Sequence, residues 1–333
     1  MSKITIAIDA MGGDFGPEVI VPSVIDYLKA NADTRIILVG DSFTIKPLIP
    51  NPQIHLVDVV HCDLSISMDA KPSQALRQKS PSSLHLIIDL LSKKEADAAL
   101  SAGNTGALMA VSKQKLGMIE GITRPLICGV VPSVDGHSYL LDMGANVDCD
   151  AKQLLEFALI GTLVANALDG KVSPSVALLN NGEEEIKGNS QVKQAAELLT
   201  AHRHINYIGF IEGHNLYQAV ADIIVCDGFV GNVALKASEG VANFILDIFN
   251  REFKNKPYLF PLFWILSKTM HSIGKQIDPR YLNGASFLGV NGVVVKSHGH
   301  ADSLAFTQSI IYTKRMIESG IVEKLQHLSQ YDE

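Results

Sequence analysis

Charge is scarce in this chain: 19% of its 333 residues are Asp, Glu, Lys or Arg, and 28 basic side chains stand against 35 acidic ones, a formal net charge of −7. No run of Lys or Arg supplies the basic face that nucleic-acid binding needs, so no nucleic acid is expected as a partner. Cysteine is also sparse. Cys62, Cys128, Cys149 and Cys226 lie far apart, form no Cys-x-x-Cys pair and sit mostly in apolar surroundings, so they read as reduced packing residues and not as a disulfide framework. Met1 to Ala10 has no basic stretch leading into a long apolar one, and Asp9 and Asp14 interrupt the pattern, so the reading is of a cytoplasmic chain without a signal peptide. The Gly-x-x-x-x-Gly-Lys-[Ser/Thr] loop is missing, and the Gly12, Gly13, Gly16 spacing is not Gly-x-Gly-x-x-Gly, which disfavours the usual nucleotide and dinucleotide sites. No His-Glu-x-x-His, Gly-x-Ser-x-Gly or Cys/His cluster occurs either, so neither a metal nor a cofactor is expected.

What is abundant is apolar residues, 47% of the chain, enough for one large core. Short Val/Ile/Leu/Ala runs recur, each followed by Gly, Asn, Asp or Ser and then a helical pattern, as in βα units of a parallel sheet. They are Ile4–Ile8, Arg35–Val39, Ala98–Leu100, Leu126–Val131, Tyr139–Leu141, Val176–Leu179, Tyr207–Ile211, Ile223–Val225 and Val293–Val295. Gln153–Leu168 and Gln191–Leu199 carry apolar residues at helical spacing. The expectation is an α/β fold with a doubly wound, mainly parallel sheet in three layers. With no repeat, low-complexity tract or Gly/Ser linker, residues 1–333 read as a single large domain, or two closely joined lobes. An apolar helical protrusion over about 241–276 breaks the rhythm, its stripe of Val241, Phe244, Ile245, Ile248, Phe249 and Phe253 running into 257–266.

Ligands of open α/β sheets bind beyond the carboxyl ends of strands, where helix N-termini offer free amides to an anion. Five such turns are polar and glycine-rich. Asp9 to Pro17 contains Asp9, Gly12, Gly13 and Asp14, and reads equally as a tight turn capped by Asp14 or as a ligand contact. Ser101 to Ala107 reads as a nest of amide donors with Asn104 and Thr105 between Gly103 and Gly106, a fit for phosphate. Asp142 to Asn146 and Asn180 to Asn189 follow strands in the same way; Lys187 in the latter is a point charge for an anion or a surface residue. Cys226 to Lys236, the fifth, holds Asp227 and Asn232, the latter a helix cap or an oxyanion donor, and beyond these five a further polar turn, Lys296 to Asp302, holds His298, a phosphate donor, a proton carrier or a surface histidine.

Taken together and in order, Ile6–Asp14, Ser101–Ala107, Asp142–Asn146, Asn181–Gly188, Asp227–Asn232 and Ser297–Gly299 resemble the motif set of the bacterial phosphate acyltransferases of the PlsX family, across nearly the whole chain. The resemblance implies transfer of a long acyl chain from acyl-[acyl carrier protein] to inorganic phosphate, giving acyl phosphate for phospholipid synthesis. It implies a fold similar to the isocitrate/isopropylmalate dehydrogenases, a cytosolic homodimer, association with the membrane surface and the downstream membrane acyltransferase as a partner. Direct attack of phosphate on the thioester needs two anions held close and a stabilised oxyanion, with no covalent acyl-enzyme. On this basis Asp9, Gly12, Gly13, Asp14, Gly103, Asn104, Thr105, Gly106, Asn146 and Asp227 are expected to bind phosphate or substrate. Lys187 is expected to neutralise phosphate, Asn232 to hold the oxyanion, and His298 to stand near the leaving thiolate or phosphate.

The apolar 257–266 segment is too short to span a bilayer, which takes roughly 20 residues. Phe260, Leu262, Phe263 and Trp264 are candidates for contact with a membrane surface, or for burial against a second copy. Rival readings are a short-chain phosphate acyltransferase using acyl-coenzyme A, a decarboxylating dehydrogenase, and a membrane-attached scaffold.

Overall fold

The computed structural model describes residues 4–50, 55–255 and 278–328. Phe260, Leu262, Phe263 and Trp264 lie outside the described residues, as does most of 241–276 beyond Asn255.

The strands come in chain order as β1 (Ile4–Asp9), β2 (Thr34–Gly40), β3 (Val57–His61), β4 (Ala98–Ser101), β5 (Leu126–Ser133), β6 (Gly136–Leu141), β7 (Ser175–Leu179), β8 (Asn206–Ile211), β9 (Ile223–Val225), β10 (Ala285–Leu288) and β11 (Val293–Lys296). Among the described residues they form one sheet in the order β3-β2-β1-β4-β11-β10-β5-β6-β9-β7-β8. The first five strands in that order are mutually parallel, and so are the last four. Between them β10 opposes β11, β5 opposes β10 and β6 opposes β5. Three reversals leave the two parallel blocks pointing in opposite directions. The mainly parallel sheet was legible in the sequence, but its central reversal was not. Leu126–Val131 and Tyr139–Leu141 are the two arms of an antiparallel hairpin turned at Val134-Asp135, not two βα units.

The helices are α1 (Pro17–Ala30), α2 (Ser42–Ile45), α3 (Pro72–Arg77), α4 (Ser83–Ser92), α5 (Thr105–Leu116), α6 (Ala151–Asp169), α7 (Ser190–Ala201), α8 (Gly228–Asn255), α9 (Ser303–Glu318) and α10 (Ile321–Leu325). Because strand side chains alternate between faces, each strand serves two cores. Ile6 and Ile8 of β1 belong to the core that continues along the sheet through residues of α1, α6, α7 and α9, whereas Ala7 belongs to the core of α4 and α5 on the opposite face. In the second block Leu140, Ala177 and Ile224 make a third cluster, against which Ala234 of α8 packs. Helices therefore cover both faces. α6 is long and apolar enough to cross a bilayer, but most of it is buried in this core.

Candidate active site

A crevice opens in a wound sheet where adjacent strands send their chains to opposite faces. Two pairs do so here. From β1 the chain passes to α1 and from neighbouring β4 to α5, helices that belong to opposite cores. From β7 it passes to α7 and from neighbouring β9 to α8, again on opposite sides.

The β1/β4 crevice gathers the first two glycine turns and the one near the C-terminus. Asp9, almost fully buried, accepts from Ser101 Oγ at 2.8 Å and from the Met11 amide at 3.2 Å, and Ser101 Oγ in turn accepts from the Gly103 amide at 2.9 Å. Gly12 has to be glycine: a Cβ there would lie 2.7 Å from Gly103 N and 2.8 Å from Asp9 Oδ2. The Asp14 amide donates to Gly299 O at 3.0 Å, and the Asp14 carboxylate pairs with His300 instead of capping α1. This bridge ties the first turn to the Ser297–Gly299 turn. Asn104 caps α5 by accepting from the Ala107 amide at 2.8 Å, and its amide group donates to Met68 O and Ala70 O at 2.5 and 3.0 Å. Its side chain thus shapes the nest and fastens the 68–70 strap over it. Thr105 and Gly106 open α5, where the first-turn amides have no acceptor within the helix and present the positive end of its dipole.

Beneath the nest lies Lys296, a residue that the sequence reading passed over. At the carboxyl end of β11 it is 9% exposed, donating to Ala102 O at 3.1 Å and to Ser297 O. Burial pushes its ammonium down to about 8, partly offset by Asp9, with the charge of Lys236 adding to the depression. Burial likewise raises the Asp9 carboxyl, against the Ser101 and Met11 hydrogen bonds and the Lys296 charge. His298 stands at the rim, half exposed, its Nε2 4.0 Å from the Glu239 carboxylate and its amide donating to Asn283. Burial holds its imidazole below the ordinary histidine value, with Lys296 and Lys236 pushing the same way and Glu239 opposing. It is the neutral ring, able both to donate and to accept, that faces the crevice near pH 7.

Glu239 and Lys236 belong to α8, so this helix links the crevices. The polar stretch after Cys226 is not a loop but its first turns: Asp227 caps it by accepting from the Val230 amide at 2.8 Å, and Asn232 sits within it, exposed. Asn232 stands against Gly144, where an added Cβ would meet it at 3.5 Å. Asn232, Lys236 and Glu239 recur at helical spacing on one flank, spanning roughly 10 Å of rise. The helix comes this close because residue 231 is glycine, a Cβ there falling 1.9 Å from Asp142 O. Asp142, fully buried, accepts from the amides of Ile127, Gly144, Ala145 and Asn146 and from Asn146 Nδ2. Asn146 is buried too, giving its other amide proton to Pro125 O, so its side chain supports the loop.

At the β7/β9 crevice a cavity of about 360 Å3 is bordered by Asn180, Asn181, Gly188, Asn189 and Asp227 over an apolar floor. Lys187 lies on this side, exposed and folded across Gly182. The sequence-predicted residues thus fall into two groups. Asp9, Gly12, Gly13, Asp14, Gly103, Asn104, Thr105, Gly106 and His298 converge at β1/β4, while Lys187, Asn146 and Asp227 gather at the second block and Asn232 projects from the helix between. Nucleophiles are poorly served. Ser101 Oγ is held between Asp9 and Gly103, and burial keeps Cys149, pushed up to about 12, and Cys226 as thiols.

A family model described as "Fatty acid synthesis protein" matches residues 4–324. A phosphate acyltransferase of Methylococcus capsulatus is 45% identical over 324 residues, covering 96% of this chain and 95% of the relative. One of Halorhodospira halophila is 44% identical over 323 residues, covering 96% and 94%. Among solved structures, a phosphotransacetylase of Streptococcus pyogenes superposes with a TM-score of 0.61 at 15% identity, over 95% of this chain and 94% of its own. A branched-chain phosphotransacylase of Enterococcus faecalis gives 0.59 at 16%, over 94% and 99%. At such identities these two structures speak for the fold alone.

Proposed function

The chain belongs to the phosphate acyltransferase family of fatty acid synthesis, and on that premise we propose that it moves a long-chain acyl group from acyl-[acyl carrier protein] to inorganic phosphate held at the β1/β4 crevice. The acyl phosphate so formed feeds phospholipid synthesis. One observation carries the placement of phosphate: the amide nest at the start of α5, the buried ammonium of Lys296 and the neutral ring of His298 converge at one crevice.

A phosphate oxygen attacks the thioester carbonyl, its bond to carbon forms, and the carbon–sulfur bond breaks as the tetrahedral oxyanion collapses. Holding the two substrates together supplies much of the acceleration, and oxyanion donors supply the rest. The Gly103–Gly106 amides with Thr105 hold phosphate, and Asn104 keeps that nest in shape. Asn232 donates to the oxyanion, Lys187 offsets phosphate charge, and the neutral His298 ring stands near the leaving thiolate or phosphate, where it can take the proton of hydrogen phosphate and pass it to the sulfur. Asp9, Gly12, Gly13 and Asp14 fix the floor of the crevice, and Asn146 and Asp227 set the entry of α8.

We further read residues 1–333 as one large domain of the isocitrate/isopropylmalate dehydrogenase-like class, working in the cytoplasm as a homodimer at a membrane surface beside the downstream acyltransferase. In support of a covered surface, α8 exposes Phe229, Val233, Val241, Phe244 and Ile245. Liposome flotation of wild type against a Phe263→Asp, Trp264→Asp double variant tests the membrane reading; equal flotation argues against it. The reaction is tested by phosphate-dependent thiol release from a long-chain acyl carrier protein, beside acyl-coenzyme A and with nicotinamide cofactors as controls. Release from the carrier-protein donor is expected, and turnover with coenzyme A alone would overturn the choice of donor.

A further inference from the structure

We propose that the β7/β9 cavity receives the hydrocarbon chain of the acyl donor and sets the chain length that the enzyme accepts. The inference rests on the acyl-transfer reading above and goes beyond it by naming where the chain goes.

At about 360 Å3 the cavity falls within the range of small-molecule sites, and it lies at a strand-end switch point, where α/β sheets bind ligands. Its floor and walls are Leu154 from the first turn of α6, Leu178, Leu179, Val192 from α7, Val225 and Val230 from α8. Part of the polar rim is engaged by the protein itself. Asn180 donates to Gly182 O at 3.0 Å, Asn189 accepts from the Val192 amide at 2.9 Å, and Asp227 accepts from the Val230 amide. A guest inside therefore meets mainly methyl and methylene groups. The amide-rich arm of a carrier protein seated among the leucines and valines of the floor would leave amides unpaired there, which is costly. A hydrocarbon chain carries no such groups. Its transfer from water is favourable for every methylene buried. The cavity also lies at the N-terminal end of α8, the helix whose next turn carries Asn232, so a chain seated there rests on the helix that bears the proposed oxyanion donor.

The test narrows the cavity and reads chain-length selectivity. Val192→Phe and, separately, Val230→Phe are assayed for phosphate-dependent thiol release from hexadecanoyl and butanoyl carrier-protein thioesters. The ratio of kcat/KM for the long over the short donor is expected to fall by about tenfold or more in each, since a single methylene is worth that much in a tight pocket. Val230 is partly exposed, so its replacement serves if Val192→Phe does not fold. An unchanged ratio overturns the inference, and so does an equal loss with both donors, which would assign the cavity to the carrier arm. Failure of wild type to release thiol from either donor would instead strike the acyl-transfer reading itself.

Discussion

If the Lys296 ammonium sits under the phosphate, kcat/KM for phosphate should decline where that ammonium loses its proton. Its value is pushed from 10.5 down to about 8, which corresponds to about 3 kcal/mol against the charged form. One unit charge held roughly 6 Å from Nζ, at an effective dielectric near 20, is worth about 3 kcal/mol. The attraction thus suffices to hold the proton on when phosphate binds. The groups facing Lys296 are Asp9 from β1, Lys236 from α8 and His298 from the following turn. Above pH 8 the free enzyme should lose kcat/KM for phosphate by about tenfold per pH unit. Lys296→Met should raise KM for phosphate on the order of 100-fold, with a smaller change in KM for the acyl donor, and should abolish the limb near pH 8. The same residue gives a stability check. In the unfolded chain Lys296 keeps its proton to a higher pH than in the fold, so its contribution makes the protein more stable as pH rises from 8 to 10. Thermal denaturation across that window should show a shallower rise, or a steeper fall, in Lys296→Met. An unchanged alkaline limb and an unchanged phosphate KM in Lys296→Met would refute the reasoning.

Three further outcomes follow from the site. Asn232→Ala and Lys187→Ala should each cost about two to three decades of turnover, and near-wild-type rates in both would remove their assigned roles. Asp142→Ala strands the amides of Ile127, Gly144, Ala145 and Asn146, the first and last of them buried, and should cost about 3 kcal/mol in urea unfolding; a loss under 1 kcal/mol would show that the loop finds other partners. Gly231→Ala puts a methyl into Asp142 O and must displace α8. Turnover should fall in that variant with KM for phosphate less affected, since the nest rests on β4 and not on α8.

Much of the fold was legible because the strands of each parallel block are apolar on both faces, as Ile36–Val39 and Val293–Val295 show. β3 was not, since it is an edge strand with one neighbour and its exposed Asp58 pairs with Arg35, so no continuous apolar run marks it. β10 is only four residues long. The reversal at β5–β6 hides for a related reason: both arms are buried like parallel strands, and Asp135-Gly136 was the sole turn signal. At the site, glycine turns located the loops, but the same amino-acid pattern serves ligands and scaffolding alike. Asn104 and Asn146 were picked as ligand contacts from their type and place, and their side chains are engaged within the protein. Lys296 had a signal that went unused: a lysine directly after three buried valines, at the end of a strand flanked on both sides, has nowhere to extend but into the crevice.

Direct attack by phosphate is the claim on which the whole assignment of residues depends. It is tested by exchange of isotopically labelled carrier-protein thiol into unlabelled acyl carrier protein, measured with and without phosphate. Direct transfer predicts no exchange until phosphate is added. Exchange in its absence, accompanied by a protein mass increased by one acyl group, would mean that a side chain takes the acyl group first, and would contradict the account.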